Sequence, residues 1–203
     1  MTTTEVQIVE GVDREYVDDA LRITYDAFAK KFHIGFRNGD DFVRLFRDSV
    51  DPKNCLFATV DGDLWGVLAF KTTGHEFYQL SLKTPFAKFS PFRACLILFN
   101  LILLDIEDAV AADEFHIDVL AVVPSSRGMG IGTALMLQAE EKAESTGKRK
   151  MSLGVIAENE GAIRLYERLD YKTTRTWRGF FVRLATRSAE VWRMEKPIGG
   201  DAS

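Results

Sequence analysis

The chain has 203 residues, 46% hydrophobic and 28% charged, with a formal net charge of −4. Such a composition is ordinary for a soluble globular domain with a sizeable core, and it disfavours a nucleic-acid binder, whose footprint is basic. The two cysteines, Cys55 and Cys95, make neither a disulfide framework nor a metal-ligand spacing, so a reducing, cytoplasmic setting without a metal is expected.

The opening MTTTEVQIVE has no basic n-region and no apolar h-region, so no signal peptide is read. Val6 and Ile8 alternate with Glu5 and Gln7, which predicts a first strand. From Asp13 to Phe32, Val17, Leu21, Tyr25 and Phe28 recur at helical spacing, with Asp13 as N-cap. Phe28, Phe32 and Phe36 read as packing residues. A shorter helix is predicted over Asp40 to Val50, capped by Asp40 and Asp41. Asp61-Gly62, between two apolar runs, predicts a hairpin.

Residues 74–113 form a long connection whose first part resists assignment. Its later part, ACLILFNLILLDI from Ala94 to Ile106, is strongly apolar. It is too short to span a bilayer, which takes about 20 apolar residues. A helix from Phe92 to Asp108 is predicted, with Leu98, Leu101 and Ile102 toward the core. The plain reading is a helix buried on most sides; the sharper one has the other face, at Leu96, Phe99 and Leu103, line an acceptor pocket or form a homodimer contact.

Phe115 to Val123 reads as a strand, Gly130 to Thr146 as a helix ended by Gly147, and Met151 to Ile156 as a strand. A short helix follows over Gly161 to Leu169. Lys172 to Arg178, Phe180 to Leu184 and Ala189 to Glu195 are expected as closing strands, and Gly199 to Ser203 as a loose tail. No repeat or linker divides the chain, so residues 1–203 read as one α/β domain.

Three glycines, Gly128, Gly130 and Gly132, stand between a strand and a helix. That order builds an anion site. The first turn of a helix has unpaired N–H groups and the positive end of the dipole, and glycines let a phosphate come close. No Lys-Ser or Lys-Thr follows, which excludes a P-loop, and neither register completes G-x-G-x-x-G.

Arg127-x-x-Gly130-x-Gly132, after a strand and Pro124, resembles the acyl-CoA signature of the GNAT superfamily of N-acetyltransferases. Downstream, VIAENEGAIRLYERLDYK (Val155 to Lys172) resembles that family's strand, Asn-containing loop, short helix and next strand. Two departures stand out. Asp170 occupies a usual Gly, and the 74–113 segment is an apolar helical insertion before the fourth strand.

The resemblance implies a mixed, mostly antiparallel, twisted sheet of about seven strands flanked by helices. It implies acetyl-CoA as co-substrate, no metal, and an amine-bearing acceptor, a small molecule or a peptide. Nucleic acid and a membrane span are not expected. The pyrophosphate would rest on Arg127, Gly128, Met129, Gly130, Ile131, Gly132 and Thr133. The pantetheine would lie along Leu120, Ala121 and Val122, with Asn159 nearby, and a bulge would splay that strand from the next. Tyr166 would protonate the leaving thiolate. The family's common Glu base is replaced by Gly154, which moves the base to His116 with Asp118 beside it on one strand face. The competing reading is a non-catalytic acyl-CoA sensor.

Overall fold

The computed structural model describes residues 6–11, 16–74, 78, 80–104 and 109–199. The expected cap Asp13, His75, Asp105 and the tail beyond Gly199 lie outside them.

Among the described residues seven strands form one sheet. They are β1 (Gln7–Glu10), β2 (Cys55–Val60), β3 (Asp63–Lys71), β4 (Glu114–Val122), β5 (Lys150–Ile156), β6 (Lys172–Arg178) and β7 (Glu190–Pro197). Their order is β1-β2-β3-β4-β5-β7-β6. All neighbours are antiparallel except β4 and β5. The β2–β3 turn places Asp61 at φ 52° and Gly62 at φ 88°, two positive values that match the right-handed twist of a hairpin.

Among the described residues seven helices cover the sheet: α1 (Val17–Phe28), α2 (Gly39–Phe46), α3 (Thr84–Lys88), α4 (Pro91–Leu104), α5 (Ile131–Ser145), α6 (Glu160–Arg168) and α7 (Phe180–Thr186). Two cores result. On one face, Leu135, Met136 and Ala139 of α5 and Tyr166 of α6 pack on Leu68, Phe115, Leu153 and Met194. On the other, Leu21, Phe42, Phe46 and Ile97 of α1, α2 and α4 pack on Phe57, Val67 and Ala121. The expected aromatic packing holds: Phe32 lies 4.6 Å from Phe42 and 5.7 Å from Phe36, centroid to centroid.

Three expectations need correction, and one unassigned stretch takes a defined form. Phe180 to Leu184 is helical, because Val182, Ala185 and Thr186 are buried at helical spacing and outweigh the β-prone run. The cap of α2 is Asn38, whose side chain accepts from the Asp41 N–H, not Asp40 or Asp41. The insertion contains a short extra helix, α3. In α4 the buried side is Ala94, Ile97 and Asn100, whereas Ile102, expected inward, is 68% exposed. Among the described residues no helix is long and apolar enough to cross a membrane.

Candidate functional site

The glycine loop links β4 to α5 through a short 3₁₀ turn, Pro124–Ser126. Gly128 and Gly130 adopt φ 81° and 82°, the left-handed region that side chains avoid. Gly130 is the N-cap of α5, and Ala134 N–H donates to its carbonyl at 2.9 Å. The N–H groups of Gly128, Gly130 and the first turn, Ile131 to Thr133, have no backbone acceptor in this described loop. They form a row of donors at the positive end of a 15-residue helix. Gly132 has a separate reason: a Cβ there would meet Leu165 Cδ2 at 3.3 Å, so glycine lets α5 approach α6.

Beside this loop the sheet divides. β4 pairs with β5 only from Glu114 to Ile117, opposite Lys150 to Leu153. β5 continues along β7 to Ile156, and β4 continues along β3 to Val122. Leu120, Ala121 and Val122 therefore have no ladder partner on the β5 side, and a slot opens toward the glycine loop. On the β3 side, Ala69 pairs with Val119 and Phe70 with Ile117, so Asp118 is the extra residue of a bulge.

Below the slot a polar chain is sealed into the sheet. His116, Ser152 and Glu114 are 1%, 0% and 1% exposed. They alternate with Phe115, Ile117, Met151 and Leu153 of the α5-side core, so they point to the opposite face. His116 Nδ1 lies 2.7 Å from Ser152 Oγ. The Ser152 hydroxyl donates to Glu114 Oε1, which also receives the Arg193 guanidinium. Lys150 Nζ is 3.3 Å from the second carboxylate oxygen. On the far side, His116 Nε2 faces Asp118 Oδ1 at 3.6 Å, and Lys71 Nζ holds the same oxygen at 3.0 Å.

This chain fixes a tautomer. Ser152 spends its proton on a carboxylate, so its oxygen accepts from Nδ1–H. Nε2 of the neutral ring then carries the lone pair and faces the bulge. Burial works against the Glu114 charge, but the Ser152 hydrogen bond, Arg193 and Lys150 together hold its carboxyl below the usual range.

Tyr166 lies on the other face. It is packed in the α5-side core, 6.0 Å from the Tyr171 ring, and burial pushes its phenol upward. Asn159 caps α6: its Oδ1 accepts from Ala162 N–H at 3.3 Å, leaving its amide donors for another partner. Asp170 takes φ 67°, which explains why glycine suits that position. Gly154, which replaces the family's common Glu base, pairs with Arg193 on β7. No His, Cys, Asp and Glu grouping able to hold a metal occurs among the described residues.

The model of the acetyltransferase (GNAT) family matches residues 21–171. The chain belongs to that family. An uncharacterized N-acetyltransferase of Methanocaldococcus jannaschii is 42% identical over 65 residues, or 32% of this chain and 29% of the relative. An acetyltransferase of Yersinia enterocolitica is 39% identical over 57 residues, 28% of this chain and 40% of its own. These alignments thus span well under half of either relative's length. The same fold occurs in yncA, a putative acetyltransferase from Salmonella typhimurium solved with its cofactor acetyl-CoA. Its TM-score is 0.57 at 17% identity, covering 98% of this chain and 96% of that one.

Of the site residues expected for this GNAT chain, the loop from Arg127 to Thr133, the free edge Leu120 to Val122 and the pair His116 and Asp118 lie along one strand and its exit. Tyr166 and His116 are separated by the sheet. Ser152, Glu114, Lys71 and Arg193 escaped the sequence reading. They sit on four strands, and only Glu114, two residues before His116, left a signal in the strand alternation.

Proposed function

We propose that this GNAT chain transfers an acetyl group from acetyl-CoA to a primary amine by direct attack. The supporting observation is the slot: an unpaired strand edge ends in a loop of unpartnered N–H donors. The loop and the α5 dipole suit a pyrophosphate. The free edge at Leu120 to Val122 suits the amides of pantetheine, added as a short strand. A backbone N–H next to the Asp118 bulge would hold the carbonyl oxygen as it gains charge.

The two faces of the sheet divide the proton chemistry. On one side, His116 Nε2 takes a proton from the acceptor's ammonium, directly or through water, so that the neutral amine attacks, while Asp118 attracts the incoming cation. Glu114 and Ser152 act through the ring, keeping Nδ1 protonated and stabilising the imidazolium. On the other side, Tyr166, protonated at neutral pH, donates to the departing thiolate. Attack and departure from opposite faces fit a group passed through the slot without a covalent enzyme intermediate.

A second reading has its own observation. Gly154 leaves the usual base position empty, as a non-catalytic acyl-CoA sensor would. Release of free thiol from acetyl-CoA with a panel of primary amines separates the two. Amine-dependent release supports the transferase. Tight CoA binding with no release for any amine supports the sensor.

A further inference from the structure

Charge is segregated along this chain. Residues 77–104 and 171–189 contain eight Lys and Arg and no Asp or Glu, whereas the rest holds 18 Lys and Arg against 30 Asp and Glu. The fold joins the two basic segments, because α7 packs against α4. They also carry most of the exposed large apolar side chains. Phe92, Phe99 and Ile102 form one stripe of α4, at 75%, 48% and 68% exposure, and Phe180 and Phe181 open α7 at 73% and 68%.

We infer that the α3–α4–α7 surface docks on an anionic lipid bilayer. Aromatic and aliphatic side chains that project at such exposure fit a fluid acyl boundary, which needs no matching socket. Their rim is cationic. Among the described residues Lys83, Arg183 and Arg187 have no carboxylate at ion-pair distance, while Lys88 and Arg93 pair with Asp48 and Asp41. Arg37, Arg44, Lys88 and Arg93 further line an open groove of about 450 Å³ at the start of α4, of a size to receive a head group. The acidic remainder of the chain turns this face toward a negative surface and the rest away from it. A symmetric dimer through this face is disfavoured by the same charges, since an isologous contact sets each cation patch against its copy.

The test is co-sedimentation of the full chain with vesicles. Vesicles of phosphatidylcholine with about 30 mol% phosphatidylserine should bind it, pure phosphatidylcholine should not, and added salt should release it. The F180S/F181S double variant and R183E should each weaken binding by about ten-fold or more. Both should keep their melting temperature and CoA affinity, because the altered side chains are exposed. Equal binding to the two vesicle types, or to neither, overturns the proposal. So does wild-type binding by both variants. Binding of polyglutamate without vesicle binding would assign the face to an acidic protein. A dimer lost in F180S/F181S, again without vesicle binding, would assign it to a second copy. Either result refutes the lipid surface.

Discussion

His116 and Ser152 face each other across the parallel β4–β5 strand pair, with Nδ1 2.7 Å from Oγ. Because Ser152 gives its proton to Glu114, the ring is held in the Nδ1–H form, the less common one for a free imidazole. Nitrogen NMR of the wild type should report that tautomer. In Ser152→Ala the signal should move toward the Nε2–H form, and turnover should fall about ten-fold or more with little change in KM. An unchanged tautomer in the variant would refute the relay.

His116→Ala should lower turnover by about a hundred-fold with little change in acetyl-CoA affinity. Turnover within a few-fold of wild type would transfer the base role to Asp118 or a water chain.

Tyr166→Phe keeps the ring that packs beside Tyr171 and deletes only the hydroxyl. Turnover should fall by roughly ten- to a thousand-fold, with acetyl-CoA affinity nearly unchanged. Equal turnover in variant and wild type would leave Tyr166 with a packing role alone.

Gly130→Val places a β-branched side chain at φ 82°, a conformation it resists. No atom lies within 4 Å of its Cβ, so the protein should still fold while the loop re-forms. Calorimetry should then show CoA affinity lost. Full affinity in a folded variant would reject the loop as the phosphate cradle.

Glu114 has a lowered folded-state pKa, so its ionised form contributes stability above its unfolded-state value near 4.3. That contribution fades as pH falls through the lower folded value. Melting temperatures of wild type and Glu114→Gln should therefore differ widely at neutral pH, where the variant leaves Arg193 buried without its charge partner, and converge in acid. A constant gap from pH 7 down to about 3 would contradict this linkage.

The strand–turn–helix geometry of the glycine loop was legible because its requirements are local: a strand, a left-handed turn and a helix start within a dozen residues. The Asp61-Gly62 hairpin was legible for the same reason. Phe180 to Leu184 misled because FFVRL favours a strand by residue type, and burial of Val182, Ala185 and Thr186 decides otherwise. Ile102 misled because an almost wholly apolar helix has no polar face to fix its rotation, and buried Asn100, bonded to the Lys31 carbonyl at 3.0 Å, sets it instead. Ser152, Glu114 and Arg193 come together only when β4, β5 and β7 align, so no spacing in the chain announces them.

The short β4–β5 ladder also has a mechanical meaning. Among the described residues the backbone ladder that joins the plate of β1 to β4 to the plate of β5 to β7 is four residue pairs long. The sheet behaves as two leaves on a spine at Glu114 to Ile117, pinned by the Glu114–Arg193 ion pair that reaches across from β7. A molecule lying along the free edges stitches the leaves where the backbone does not. Occupancy of the slot should then slow amide exchange in β5 and β7 as much as in β4, coupling the two halves into one cooperative unit.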